Sequence, residues 1–408
     1  MNEIKVIDAC MGRGKTSAAA AYMSSFRGRK NFLFITPYLK EVDRICDLCD
    51  FEQPNSDCHT KLTDLKTMLS RKKDIASSHS LFYLIDEEAL DLIRKNHYCL
   101  IVDESIDAVT RENISSKDFD LILDKLATID EDGKLKWTDK DYFGKFNEYK
   151  DLANSGTLIV KDTSIMRVMN PCILEAFDEV IMMTYLFGGQ YQKAYLDYFG
   201  FKYKLCGIHT EYIDKVPQYT FTDEPDSPPP VDYRSLITII DDKRLNAIGE
   251  KNTALSKRWF LSKYKNHKDI VTLRHNINTV LRRKVKCRSK DVIWTSFKDY
   301  LDWLVGDGGR FKTSFVSLTS RATNEYRNKD VVIYAANRFC DPNILKFFRE
   351  KGCDLNEDEF ALGEMLQFIW RSAIRDNKPI TVYIPSKRMR ELLIKWIDER
   401  SCDNNSAK

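Results

Sequence analysis

The sequence predicts an α/β protein built on mostly parallel sheets, and three stretches carry that prediction. Ile4-Lys5-Val6-Ile7-Asp8 is an apolar, β-branched run that passes through a glycine turn into Lys15-Thr16-Ser17 and an alanine-rich helix former. Tyr98-Cys99-Leu100-Ile101-Val102 is a continuous apolar run that ends in Asp103-Glu104-Ser105. Near the far end, Gln367, Arg371 and Arg375 recur every four residues before another apolar run, Ile380-Thr381-Val382-Tyr383-Ile384. Short unbroken apolar runs, as opposed to alternating ones, belong to strands covered on both faces.

The first stretch has the strand–loop–helix order of a phosphate-binding loop. Glycines let the backbone wrap an anion so that successive N–H groups and the helix N-terminus face it. Residues Ala9 to Thr16 read A-x-x-G-x-G-K-T. The nucleotide site is therefore expected to comprise Ala9, Met11, Gly12, Arg13, Gly14, Lys15, Thr16 and Ser17. Lys15 would reach the β- and γ-phosphates, and the Thr16 hydroxyl would ligate Mg²⁺. The second stretch delivers two carboxylates to the carboxyl edge of a sheet, where ligands of open α/β folds sit. Asp103 is the expected Mg²⁺ partner, and Glu104 would orient and deprotonate the attacking water.

A length of 408 residues suits two or three domains, with 43% hydrophobic and 31% charged residues as in ordinary globular proteins. No apolar run approaches the roughly 20 residues of a membrane span. The first strand begins too early to leave room for a targeting peptide, and the 11 scattered cysteines resemble no disulfide framework. A cytoplasmic protein, in a host cell if phage-encoded, with no membrane partner is the expectation. The net charge of +3 is unevenly spread: residues 251–290 hold thirteen Lys/Arg against Asp269 alone, so +12 lies there and −9 elsewhere. Such a block favours contact with nucleic acid over a solvated face of mixed sign. Lys257, Arg258, Arg282, Arg283 and Lys284 are its candidate phosphate contacts.

Other segments fill in the order of elements. Asn31–Thr36 reads as a buried strand ended by Pro37, followed by a helical pattern. Cys46-x-x-Cys49 and Cys58-His59 have the residue types of a zinc site, but Cys46 and Cys49 fall on the apolar positions of that helix, so core packing is the better reading. His79 is read as a capping residue. Residues 111–160 look like a charged, helical insertion. Glu179–Thr184 is a further buried strand closed by Gly188-Gly189. The Pro-rich stretch Glu224–Pro230 marks a loop, with the domain boundary placed before it. Strands are expected at Asp291–Phe297, Ser314–Leu318 and Val331–Ala335.

The A-x-x-G-x-G-K-T loop, the D-E-S-I form of the Asp-Glu motif and the Gln-x-x-x-Arg-x-x-x-Arg pattern together resemble the superfamily 2 (DEAD/DEAH-like) helicase core, in the compact form found in bacteriophage helicase-like proteins. The resemblance runs from residue 4 to about 385. It implies two tandem RecA-like P-loop NTPase domains, placed at 1–189 and 190–400, with 401–408 a disordered tail. It also implies that Thr36 touches the nucleic-acid backbone, that Thr184 couples nucleotide state to grip, and that Thr319 and Arg321 lie in a loop meeting nucleic acid. Gln367, Arg371 and Arg375 would share one helical face and act on the γ-phosphate. The sequence departs from the family in several places: Trp370 replaces a glycine, Arg375 comes one residue late, no S-A-T triplet accompanies Thr184, and no adenine-reading segment precedes the first strand. The expected function is an ATP- and Mg²⁺-dependent DNA helicase or translocase in phage-type replication or recombination. Its expected partners are single-stranded or forked DNA, or RNA, with replication or recombination proteins. A packaging motor of terminase type and a nucleotide-binding regulator without translocation are the alternatives.

Overall fold

The computed structural model describes residues 3–56, 60–228, 231–305, 309, 311–318 and 324–402. The chain forms two compact units, Met1–Ser227 with Cys340–Leu355, and Pro228–Phe339 with Asn356–Lys408.

The first unit is organised by β1 (Ile4–Asp8), β2 (Asn31–Thr36), β3 (Ile75–Ser78) and β4 (Tyr98–Asp103). The connecting helices are α1 (Lys15–Ser25), α2 (Leu39–Cys49), α3 (Lys61–Ser70), α4 (His79–Phe82) and α5 (Glu87–Lys95). Between β4 and the next strand of this sheet lie β5 (Val109–Arg111), β6 (Ala127–Ile129), β7 (Leu135–Trp137), β8 (Leu158–Lys161) and β9 (Ser164–Val168). Then β10 (Glu179–Thr184), β11 (Tyr203–Ile213) and β12 (Val216–Thr222) complete a seven-stranded sheet of order β12-β11-β1-β10-β4-β2-β3. Every neighbouring pair is parallel except β11–β12.

The unbroken apolar runs are indeed covered on both faces: all six residues of β4 are buried, as are five of six in β2 and in β10. Small side chains bring α1 close to the sheet, since Ala18, Ala19 and Ala20 pack in one cluster with Ile7, Phe34 and Ile101. In α2 the buried residues are Val42, Ile45 and Cys49, one stripe at helical spacing. Cys49 thus belongs to the core and Cys46 packs against it; Cys58 and His59 lie outside the described residues.

Two expectations need correction here. Residues 190–227, expected in the second domain, belong with the first, because β11 extends the first sheet by pairing with β1 and the first unit runs to Ser227. The stretch 111–160 is helical only in part, at Ser116–Leu121, the π-helical turn Ile122–Leu126 and Asn147–Asn154. An antiparallel sheet of order β5-β9-β8 and the hairpin β6–β7 enclose a separate small core of Phe119, Ile122, Leu135, Trp137, Phe146, Leu158 and Ile165. Strands of three to five residues are too short to show the longer unbroken apolar runs that betray buried strands.

The first unit also takes one helix from late in the sequence, Pro342–Arg349. Asp341 caps it and forms an ion pair with Arg111, while Asn343 donates to the Ser164 hydroxyl and Lys346 pairs with Asp162. Phe347 stacks on Tyr198 with ring centroids 4.9 Å apart.

The second unit carries β13 (Ile237–Ile239), β14 (Val292–Thr295), β15 (Val331–Tyr334) and β16 (Ile380–Tyr383) in a wholly parallel sheet of order β13-β16-β15-β14. Trp294, Tyr334 and Tyr383 are buried in it. Three of these strands lie where the apolar runs place them. The expected strand at 314–318 is not one: Lys312–Ser314 is a 3₁₀ turn, and Phe315 makes only an isolated bridge to Trp294. The helix Lys387–Cys402 extends into the expected tail, and residues 403–408 lie outside the described residues. Among the described residues no helix is long and apolar enough to cross a membrane.

Candidate nucleotide-binding site

The carboxyl ends of β1 and β4 deliver the two sequence-predicted motifs to one edge of the first sheet. A single strand, β10, separates them, so the two ends stand about 10 Å apart at ordinary strand spacing. The loop after β1 turns on Gly12 (φ +81) and Gly14 (φ +84), left-handed conformations that side chains disfavour. Gly14 is the N-cap of α1 and supplies no side-chain acceptor, and the first turn holds no acid. By contrast α3, α4 and α5 are capped by Thr60, Ser78 and Asp86. The N–H groups opening α1 thus lack a built-in acceptor of the kind the neighbouring helices have, which is the arrangement that suits an anion. Lys15 Nζ donates to the carbonyls of Ala9 (2.5 Å) and Cys10 (3.2 Å). Neutral carbonyls hold the ammonium in the loop without cancelling its charge.

Of the remaining loop residues, Ala9 is buried and its N–H donates to the Thr184 carbonyl at 3.0 Å, tying the loop to β10. Met11 and Thr16 are half-buried and Ser17 is exposed. Arg13 does not fit its expected role as a phosphate ligand through its side chain. Its guanidinium turns away and is buried against β11 and the segment after β12. It donates to both carboxylate oxygens of Asp226 (3.0 and 3.3 Å), to the Ile208 carbonyl (2.8 Å) and to the Thr210 hydroxyl (3.3 Å). Nothing in the local sequence around residue 13 announces a partner more than two hundred positions away.

Asp103 is buried, and burial together with the adjacent Glu104 charge pushes its carboxyl well above the usual carboxylate range. Lys15 and a hydrogen bond from Thr36 act in the opposite direction. The buried Asp103 carboxylate and the Thr16 hydroxyl are hard oxygen donors of the kind Mg²⁺ takes alongside substrate phosphates. Among the described residues no cluster of three His, Cys, Asp or Glu side chains could hold a metal without such help. Glu104 adopts φ +64, a strained conformation for a glutamate. Two side chains pin this turn. Thr36 donates its hydroxyl to Asp103 Oδ2 at 3.2 Å, and the His79 ring Nε2 lies 3.1 Å from the Asp103 carbonyl oxygen. Thr36 is wholly buried, so its side chain holds the acidic pair and does not face a nucleic-acid backbone. His79 is not the capping residue of α4, a role Ser78 takes, and its contact with Asp103 could not be read from spacing. Thr184 is also buried, and its hydroxyl accepts from the Gln190 amide, which also donates to the Tyr185 carbonyl at 2.9 Å.

In the second unit, the helix Glu357–Ile369 ends before the arginines. Gln367 lies on that helix, half-buried, Arg371 follows its C-cap Trp370, and Arg375 sits on the 3₁₀ turn Ala373–Asp376. The three therefore do not share one helical face, because Ser372 breaks to an extended conformation between them. Arg371 is buried and donates to the Ser317 carbonyl at 3.3 Å. The basic block forms the short helix Lys257–Leu261, the helix Lys268–Thr279 and a π-helical turn Val280–Lys284. Lys257, Arg258, Arg282 and Arg283 are exposed on it, while Lys284 pairs with Asp242 at 2.8 Å. Arg274, His275, Asn278 and Arg282 line a cavity of about 450 Å³ walled by Trp294, Leu304 and Phe311. Thr319 and Arg321 lie outside the described residues.

Comparison with known proteins agrees with this architecture. A solved structure of XPD without ligand is similar over 97% of this chain and 95% of its own, at 13% identity and a TM-score of 0.52. The Xpd4 structure from S. tokodaii covers 97% and 94% at 12% identity and a TM-score of 0.49. The first likeness is one of fold alone, two tandem RecA-like domains. Residues 109–167 match the YonV middle domain, which coincides with the small antiparallel insertion, and residues 231–397 match the YonV C-terminal Rossmann-like domain. The SPbeta prophage-derived protein YonV of Bacillus subtilis strain 168 is 36% identical over 427 aligned positions, spanning 98% of this chain and all of that protein. The chain accordingly belongs to the YonV family.

Proposed function

We propose that this chain is an ATP-dependent helicase or translocase of superfamily 2 type that binds ATP with Mg²⁺ and moves on DNA. The observation that carries the reading is the juxtaposition at one sheet edge of the uncapped start of α1, with Lys15 beside it, and the turn of buried Asp103 and strained Glu104. Gly12 to Thr16 bind the phosphates through backbone N–H groups and Lys15. Bound Mg²⁺, held by Thr16 and Asp103, would supply charge neutralisation at the phosphates. Glu104 orients a water and takes its proton, and the left-handed turn aims its carboxylate off the end of β4. Thr36 and His79 keep the turn in place, and Thr184 links β10 to the loop.

In this reading the exposed cations Lys257, Arg258, Arg282 and Arg283 of the second unit track nucleic-acid phosphates. The prophage origin of the YonV relative supports a role in phage DNA metabolism.

The decisive experiment is an ATPase assay of the wild type and Lys15→Ala with no nucleic acid, single-stranded DNA, duplex DNA or RNA. Stimulation by one nucleic acid and loss of turnover in Lys15→Ala are expected. Nucleotide binding without stimulation by any of them would make the protein a regulator instead, and full activity in Lys15→Ala would remove the phosphate-loop reading.

A further inference from the structure

The loop and the acidic turn account for the phosphates of a nucleotide, and a hairpin stands at the place its base must occupy. The direction follows from the strand order. Asp103 and Glu104, which serve the terminal phosphate, lie on the β10–β4 side of β1. A nucleoside triphosphate seated on the loop with its terminal phosphate toward them must extend its ribose and base to the opposite side. That side is β11 and β12.

The two strands form more than a sheet edge. β11 runs parallel to β1 only as far as Cys206, opposite Ile7, and continues to Ile213. The hairpin therefore overhangs the carboxyl edge by about 20 Å, at ordinary strand rise. Its pairs are in register from Gly207↔Thr222 to Ile213↔Val216. Side chains alternate across a strand, so Ile208/Phe221, Thr210/Tyr219 and Tyr212/Pro217 share one face. The first of these pairs packs into the core with α1. The second meets the phosphate loop: Thr210 accepts from Arg13, and the Tyr219 ring lies where a Cβ on Gly14 would be, 2.5 Å from Cδ1. The third pair lies beyond the loop, with Tyr212 70% exposed and Pro217 stiffening the opposite strand. The Arg13–Asp226 contacts fasten this hairpin to the loop.

We infer that the hairpin face carrying Tyr219 and Tyr212 is the nucleobase platform of the site, Tyr219 forming its floor against Gly14 and Tyr212 stacking on the base. This inference rests on the phosphate-loop reading above. Aromatic stacking recognises ring area more than the pattern of donors and acceptors, so the ligand class is purine nucleoside triphosphates, with ATP and GTP bound alike and CTP and UTP bound more weakly.

The test compares ATP with inorganic tripolyphosphate, each with Mg²⁺, by equilibrium binding to the full chain. Tyr212→Ala, a change at an exposed position, should weaken ATP about tenfold or more and leave tripolyphosphate within twofold of the wild type. Tyr212→Phe should restore ATP binding. Tyr219→Leu should weaken ATP in the same direction. Lys15→Ala should lose both ligands. Unchanged ATP affinity in Tyr212→Ala, or equal losses for ATP and tripolyphosphate, would overturn the platform while leaving the phosphate loop intact. Failure of the wild type to bind either ligand would remove the phosphate-loop reading and the platform with it.

Discussion

The Arg13–Asp226 pair offers the sharpest test of how the phosphate loop is held. Both side chains are about nine-tenths buried, and the guanidinium makes contacts to Asp226, Ile208 and Thr210. Removing one partner of such a pair leaves a buried charge uncompensated, at a cost of about 3–5 kcal/mol. Asp226→Ala should approach the upper figure, because Arg13 then keeps only a carbonyl and a hydroxyl. Arg13→Ala should cost less, because Asp226 Oδ1 still accepts from the Ile208 N–H at 3.1 Å. The double variant should be more stable than the sum of the singles predicts, by about 1–3 kcal/mol. The pairing of β11 with β1 remains in all three, so the loss should concentrate in the hairpin. Hydrogen exchange over residues 203–226, alongside urea titration, reads this directly, since a two-unit chain need not unfold in one step. If Arg13→Ala raised the KM for ATP while exchange in the hairpin stayed at the wild-type level, the guanidinium would be a phosphate ligand after all and the lock would be refuted.

Further outcomes follow from the same geometry. Glu104→Gln should retain nucleotide binding and lower turnover by about 10²–10⁴, the usual worth of a general base, as single-turnover hydrolysis would report. Replacing Arg282 and Arg283 together by Ala should weaken binding to all nucleic-acid sequences and reduce the log–log salt slope by about 2, measured by fluorescence anisotropy across salt concentrations. Glu179, on β10, accepts from Lys30 at 2.6 Å and Tyr22 at 2.7 Å. Burial alone would raise its pKa, but these hydrogen bonds outweigh burial and bring it below the usual value. A carboxylate with a depressed folded-state pKa contributes stability that is present above its unfolded value and lost as pH falls through the folded one. Glu179→Gln should therefore destabilise the protein at neutral pH and flatten the acid limb of its stability profile, with the two proteins converging toward low pH in thermal melts.

The parts of this structure that were legible from sequence are those whose cause is local. Buried parallel strands announce themselves as unbroken apolar runs, which is why β1, β2, β4, β10, β14, β15 and β16 could be placed. The glycines at 12 and 14 and the helix former after Lys15 give the phosphate loop in one short window. What could not be read depends on distant partners. Arg13 looks like any loop cation until Asp226 is beside it. Thr36 and His79 lie far from Asp103 in the chain and meet it only because β2 and β3 stack next to β4. The hairpin mixes Lys204, His209, Glu211 and Gln218 with apolar residues in β11 and β12, a pattern without the signature of a central strand. The helix bearing Gln367 is legible in the sequence, but its end is not. Four-residue spacing continues through Arg371 and Arg375 whether or not the backbone stays helical, and here it stops at Ile369.

The helix Pro342–Arg349 has a consequence for how this chain can be cut and exchanged. The polypeptide leaves one compact unit for the other after Ser227, again after Phe339 and again after Leu355. No single cleavage separates two self-sufficient fragments. A product ending at Ser227 loses the partners of Asp162, Ser164 and Arg111 and uncovers Tyr198. The complementary product carries a stranded amphipathic helix with Ile344, Leu345, Phe347 and Phe348 bare, a liability for aggregation. Recombination that swaps the Rossmann-like half for that of a relative must therefore bring a segment 340–355 that still fits the recipient's middle insertion, so the two halves are heritable only as a matched set.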